Sequence, residues 1–243
     1  MPIAAIKPIT SWSFSRYSDY RSCPQKFKFK HIDKMKEPPS PAMQRGIDIH
    51  KLAEDYVKGT LKTLPAELKL FKNEFAKLRK EKIKLVEEQW TWTKDWGGET
   101  TWDDWGGAWL RVKLDVAYVN VTHNALVPID HKTGKFSEWK LPEYLEQLDL
   151  YGLAALKKMP DVDVVSPRLW FLDHGRVYPD PTLDLVRGEH EIEYFRKDEK
   201  LLEKKWAMKI KPMFADRTFK PTPSESACRF CHFRKANGGP CKF

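Results

Sequence analysis

The sequence predicts an α/β (α+β) fold, a central mixed β-sheet flanked by helices. Three observations lead there. Apolar residues recur at helical spacing over 43–58 and 141–158. The stretch AWLRVKLDVAYVNV alternates apolar and polar residues, and ALVPIDHK follows it across a turn. These patterns come in the order helices, strands, helix, strands, helix, as expected of a sheet covered by helices. At 243 residues and 41% hydrophobic composition, the chain can bury the core of a single domain over 1–243.

The elements follow in order. In SWSFSRYSDYRS, Ser11, Ser13 and Ser15 are alternative N-caps for a short helix bearing Phe14, Tyr17 and Tyr20. CPQKFKFKHIDK places Pro24 at a first helical position and interleaves lysines with Phe27 and Phe29. KEPPSPAM is too proline-rich to be helical. A helix follows from Met43 to about Lys58, with Ile47, Ile49, Leu52, Ala53 and Tyr56 as apolar positions. A second fits 65–83, where Leu68, Phe71, Phe75 and Leu78 recur. KLVEEQWTWT reads as one strand, DWGGETTWDDWGG as a loop, and 106–130 as a hairpin turning at His123-Asn124. Residues 141–158 form a helix with Pro142 in its first turn. VSPRLWFLDHG and EHEIEYF read as strands, 196–210 as a helix, and the chain from Pro212 onward as irregular.

Lys and Arg number 43 against 34 Asp and Glu, a net charge of +9 that suits a polyanionic partner. No apolar run is long enough to span a membrane. The N-terminus does not read as a secretory signal, so a reducing cytoplasm is expected. There, Cys23, Cys228, Cys231 and Cys241 suit metal ligation or free thiols better than disulfides. Four thiolates match tetrahedral zinc or an iron–sulfur cluster. Their placement at both ends would close a loop of about 200 residues.

The chemistry concentrates around Asp115 and the Asp130-His131-Lys132 run. Neighbouring antiparallel strands bring such carboxylates together, and a hard cation, Mg²⁺ or Mn²⁺, would relieve their repulsion. Lys132 lies two residues past Asp130, hence on the same strand side, where it could act on a metal-bound water or on phosphate. Gly46, His50 and Glu54 share a helix face, as do Glu143, Gln147 and Tyr151. His50 can offer a nitrogen ligand. Asp103 and Asp104 stand as second candidates for the role of Asp115.

The ordered set Gly46-x-x-x-His50, Asp115, Asp130-x-Lys132 with Thr133 and Gly134, and Gln147-x-x-x-Tyr151 resembles the RecB-like branch of the PD-(D/E)XK nuclease superfamily. The opening SFSRYSDYRSCPQKFKFKHI is similar to the entry segment of those nucleases. The resemblance implies a restriction-endonuclease-like core and metal-dependent DNA exonuclease activity, on single strands, in recombination, repair or replication. It implies His50, Asp115, Asp130 and the main-chain carbonyl of His131 as metal ligands. Lys132 matches the catalytic lysine, and Gln147 and Tyr151 the motif that supports it. The cysteine layout resembles the iron–sulfur members, among them the CRISPR-associated exonucleases and the AddB nuclease domain. On that resemblance Cys23, Cys228, Cys231 and Cys241 hold a [4Fe-4S] cluster, with Zn²⁺ as the alternative. Segments 11–36 and 212–243 would then form a cluster-binding appendage.

Lys26, Lys28 and Lys30, together with Trp102 and Trp105 of the Gly-rich loop, are candidate DNA contacts through charge and base stacking. Phe27 and Phe29 facing inward would account equally for the first segment. Trp90, Trp92 and Trp109 read as core. No GxxxxGK[ST] motif occurs, so any unwinding would come from a helicase or recombination partner. The competing reading is a DNA-binding recombination adaptor without catalysis.

Overall fold

A computed structural model of the protein describes residues 8–179 and 192–243. The chain divides into two compact units. One comprises 39–90 and 112–203, and the other 1–38, 91–111 and 204–243.

Among the described residues, the first unit is built on a seven-stranded mixed sheet. Helix α3 (Pro41–Lys58) starts at Ser40, whose hydroxyl accepts from the Met43 amide, and stops at Gly59 in the left-handed region. The expected helix over 65–83 is instead a 3₁₀ segment, Ala66–Phe71, running into α4 (Lys72–Lys80). Leu68, Phe71, Phe75 and Leu78 are nonetheless all buried, so the apolar spacing survives the change of helix type.

KLVEEQWTWT is two strands, β1 (Lys84–Val86) and β2 (Gln89–Trp92). Glu87 turns the backbone between them at φ 58°. AWLRVKLDVAYVNV also divides, into β3 (Leu110–Lys113) and β4 (Val116–Asn120). The two breaks face each other, with the Glu87 amide on the Asp115 carbonyl and the Leu114 amide on the Glu88 carbonyl. β1 pairs with β4 in the large sheet, while β2 and β3 pair in a separate ribbon. A single long alternating pattern thus hides a corner, because both halves keep the same period.

The hairpin of β4 and β5 (Ala125–Lys132) turns at Asn124, φ 45°, matching the expected turn at His123-Asn124. β5 is buried along nearly its whole length and is the hub of the sheet. Helix α5 (Leu141–Lys158) then crosses to two parallel neighbours, β6 (Val164–Val165) and β7 (Arg168–Phe171). Ser166-Pro167 splits what the sequence suggests as one strand, since proline cannot donate to the ladder. β8 (Arg176–Tyr178), absent from the sequence reading, pairs with β7. Of the strand expected over 189–195, residues 189–191 lie outside the described residues, and Tyr194–Phe195 forms β9 beside β6. Val127 and Ile129 of β5 pack with Ile49, Phe71, Phe75 and Trp170 in one core cluster.

The second unit contains α1 (Phe14–Ser22), capped by Ser13, and α2 (Pro24–Phe27), which continues as a π-helical turn to Ile32. Trp12, Tyr17, Trp109 and Trp206 are buried together, with Trp12 contacting both other tryptophans. Helix α6 (Glu199–Ala215) passes through Pro212, so the chain past Pro212 is helical for another turn rather than irregular. α7 (Glu225–Cys228) follows. Among the described residues no helix is long and apolar enough to cross a membrane.

Gly152, inside α5, faces the Tyr194 ring, and a Cβ there would overlap that ring near its attachment point. The ring cannot swing away, because its hydroxyl donates to Asp149 at 2.8 Å. Alanine would gain about 1 kcal/mol in helix propensity. Overpacking costs about 1–3 kcal/mol. Gly152→Ala is therefore expected to lower stability by up to about 2 kcal/mol, read as a reduced urea midpoint.

Candidate metal centre and active site

The far end of β5 presents two different faces. Asp130 and Lys132 share one, as strand alternation requires, and meet α5. Lys132 Nζ lies 2.7 Å from Asp130 Oδ2 and donates to Gln147 Oε1 at 2.8 Å. Gln147 Nε2 donates to Asp130 Oδ1 at 2.9 Å and to the Tyr151 hydroxyl at 2.8 Å. That hydroxyl has Asp130 Oδ1 at 3.0 Å and the Lys113 carbonyl at 3.1 Å to receive its proton. Gln147 and Tyr151 lie one helical turn apart, so both reach the pair from one face of α5.

His131 points the other way. Its ring packs against Phe75, Trp170 and His50. Asp115 sits at the corner between β3 and β4 rather than within a strand. Its Oδ2 accepts the His131 main-chain N–H at 2.7 Å, and its Oδ1 is 3.1 Å from His50 Nδ1. One donor atom from each of His50, Asp115 and His131 lies within 4.8 Å of the others, as ligands of one ion would. His131 Nε2 is buried and has no hydrogen-bond partner.

The electrostatics follow from burial and proximity. Burial alone would raise the Asp115 carboxyl. The hydrogen bond and charge of His50, with help from His131, hold it at about 2. Burial raises Asp130 despite Lys132, and the nearby Asp115 charge adds to the rise. Burial would lower Lys132, but the Asp130 carboxylate outweighs it and keeps the ammonium charged. Burial pulls His131 down to about 4, so its ring is neutral near pH 7 and able to ligate. The two carboxylates are therefore unequal: Asp115 is firmly anionic, while Asp130 depends on its lysine.

Gly46 serves a close approach, as a Cβ there would stand 3.1 Å from Thr133 Oγ1. Several neighbours were not singled out in the sequence. The Tyr144 ring lies 4.6 Å beneath the Lys132 ammonium. Asp173, in the turn after β7, accepts from both Arg45 Nη atoms and from the Gly134 amide at 2.6 Å. It ties α3 to the loop just after Lys132. The DHG turn containing Asp173 was the available signal, but only the fold brings it to Gly134. The His131 ring could have been suspected from strand alternation, which sends it away from Asp130.

The remaining predicted site residues lie in the second unit. Lys26 and Lys30 both pair with Asp19, Lys30 also with Glu37, and Lys28 with Asp33. Phe27 is buried and stacks on Phe219, and Phe29 contacts Phe233. Trp105 is 74% exposed, with the Arg111 guanidinium 4.6 Å over its ring. Arg111 also donates to the Trp102 carbonyl, and Trp102 is partly buried. Trp90, Trp92 and Trp109 are buried, as expected. Asp104 accepts from Thr100 and the Gly107 amide, which closes its own loop.

The four cysteines all belong to this unit, are partly buried and form no disulfide. Cys23 separates α1 from α2, and Cys228 ends α7. The Cys231 amide donates to the Cys228 carbonyl, and Cys241 bridges Arg234. Cys241 Sγ is 3.3 Å from Gln25 Oε1. Burial raises the Cys231 thiol, and Cys23 and Cys241 are near enough to add to the rise. Thiols from both ends of the chain therefore converge.

A model of the PD-(D/E)XK nuclease superfamily matches residues 11–236. Among solved structures, a protein from Eubacterium rectale provisionally described as an exonuclease is similar over 93% of this chain and 88% of its own. That match has 13% identity and a TM-score of 0.48, too low to support an argument about chemistry. No curated protein matches the sequence. The family match spans the helices, the sheet and every residue of the site, and the chain belongs to the PD-(D/E)XK nuclease superfamily.

Proposed function

We propose that the protein is a metal-dependent DNA exonuclease that hydrolyses phosphodiester bonds of single strands, in recombination, repair or replication in the cytoplasm. The observation that supports this most is the Asp130–Lys132 pair, buried at a strand end beside the His50, Asp115 and His131 donors. A binding module gains nothing from buried acids facing a polyanion. The donor set fits a divalent cation such as Mg²⁺ or Mn²⁺, and the unpartnered His131 nitrogen suits the same role. When bound, such an ion supplies a polarised phosphate and an activated water.

The chain's own residues do the rest. Asp115 and His50 hold the cation side of the site. Lys132, kept protonated by Asp130, can stabilise charge on the phosphate oxygens. Gln147 and Tyr151 fix the Asp130 carboxylate, and through it the lysine. Trp102 and Trp105 are proposed to meet unpaired bases, and Lys26, Lys28 and Lys30 to exchange their internal ion pairs for phosphates. A helicase or recombination partner would supply unwound substrate.

We also propose that Cys23, Cys228, Cys231 and Cys241 hold a [4Fe-4S] cluster, with a structural role in binding the chain ends. Zn²⁺ is the alternative ligand. Free, converging, partly buried thiols support a metal site of this kind.

With Mn²⁺ and end-labelled single-stranded DNA, the purified protein is expected to release nucleotides. Lys132→Ala should abolish release. Salt-sensitive DNA binding without turnover would favour the adaptor reading instead. Removing Lys132 leaves Asp130 without its counter-ion, at a cost of about 3–5 kcal/mol. His50→Ala also removes the partner of a carboxylate, Asp115, so both variants are compared with the wild type by thermal melting, and His50→Ala is expected to lose release at temperatures where it remains folded. Protein purified without oxygen should be brown and contain about four irons per chain. A colourless protein with one zinc would exclude the iron–sulfur assignment.

A further inference from the structure

A short loop joins Lys132 to helix α5, reading Thr133-Gly134-Lys135-Phe136-Ser137-Glu138-Trp139-Lys140. It is fixed at several points. The Gly134 amide donates to Asp173, and the Phe136 amide donates to His174 Nε2 at 3.0 Å. The Phe136 ring contacts the Phe171 ring and the Arg176 guanidinium. Trp139, three residues further on, is 73% exposed. Exposure alone assigns nothing to an indole. Its mount and its neighbours do. Lys140 has helical backbone angles and stands four residues before Tyr144 and seven before Gln147, on the α5 face that bears both. The Tyr144 ring lies 4.6 Å from the Lys132 ammonium, and the Lys140 ammonium lies 5.4 Å from the centre of the Trp139 ring. The indole therefore stands at the open end of the stripe that serves Lys132, with Lys140 about 10 Å along the helix from Gln147. Residues 132–140 hold three lysines against one acid, Glu138, so this approach carries net positive charge.

On the footing of the nuclease reading above, we infer that Trp139 stacks on one unpaired base of single-stranded DNA close to the scissile phosphate, with Lys135 and Lys140 meeting the adjoining phosphates. Stacked nucleotides advance about 3.4 Å each, so about three of them span the distance from Gln147 to Lys140. Every base has a π-face, so the ring adds affinity without sequence preference. A duplex, whose bases are already stacked on one another, offers it no partner along its length. The anchors of the loop hold the ring in place before DNA arrives, which lowers the ordering cost of binding. Trp102 and Trp105 belong to the other compact unit, so this contact is separate from theirs.

Binding of a short single strand to the full chain, without divalent ions, isolates this contact from cleavage. Trp139→Ala, at an exposed position, should melt near the wild type and bind the strand at least about fivefold more weakly. Trp139→Phe should recover most of that loss. An abasic residue moved stepwise along the strand should weaken wild-type binding at one position, and there Trp139→Ala should lose nothing further. Affinity for closed circular duplex should stay within about twofold of the wild type in Trp139→Ala. Equal affinities of wild type and Trp139→Ala for the intact strand would overturn the inference. So would an abasic penalty of the same size and position in both proteins, or a matching loss of affinity for the closed duplex. Mn²⁺-supported release of nucleotides decides the nuclease reading separately. Release without the Trp139-dependent abasic penalty leaves that reading intact and defeats the stacking contact. The penalty without release does the reverse.

Discussion

A carboxylate and an ammonium buried side by side constrain everything around them. Asp130 and Lys132 sit at the end of a strand that is buried on both faces, where an unpaired charge would cost several kcal/mol. Their mutual attraction is not enough, because each still has unused hydrogen-bonding capacity. α5 supplies what is missing through Gln147 and Tyr151, and the Lys113 carbonyl lies within reach of the tyrosine hydroxyl. The position of α5 over the sheet is thus tied to the pair. The buried residues that follow Gln147 along that helix secure it from the apolar side.

The paired breaks at Glu87-Glu88 and Leu114-Asp115 are the second constraint. They move the chain from the large sheet to the β2–β3 ribbon and place Asp115 at the corner. A residue inside a strand can serve only one face. At the corner, Asp115 reaches both the His50 ring and the main chain of His131. Strand alternation then divides β5 in two, with the ion pair facing α5 and the His131 ring facing α3 and α4. The ion pair and the His131 ring thus lie on neighbouring residues but on opposite faces of the strand.

The net charge of +9 acquires a more specific meaning beside these contacts. Much of the basic N-terminal stretch is neutralised locally by Asp19, Asp33 and Glu37. The alternating lysines and phenylalanines of KFKFKH serve a dual purpose in which Phe27 is core and the lysines form its charged cover. Any polyanion drawn to them must displace carboxylates already in place, which makes binding there dependent on salt and competition as well as on charge count.

Much of the fold was legible from the sequence because apolar spacing reports burial directly. Helices α1, α3 and α5, the β4–β5 hairpin and the core tryptophans all follow from local pattern and turn chemistry. So did the shared faces of Asp130 with Lys132 and of Gln147 with Tyr151, since the periods of strand and helix fix them. The corner at Asp115 was not legible, because a strand that bends and one that runs straight have the same alternation. Nor was the clamp of Asp173 on Arg45 and Gly134, which joins residues far apart in sequence. Each side chain, and the face of its own element on which it lies, can be read from residue order and period alone. The tertiary contacts settle which partners those faces meet, and hence that Asp130 is paired with Lys132 and held by Gln147 and Tyr151 while His131 Nε2 has no hydrogen-bond partner. Hydrogen bonding and ligation act over about 3 Å, a range that no one-dimensional pattern resolves.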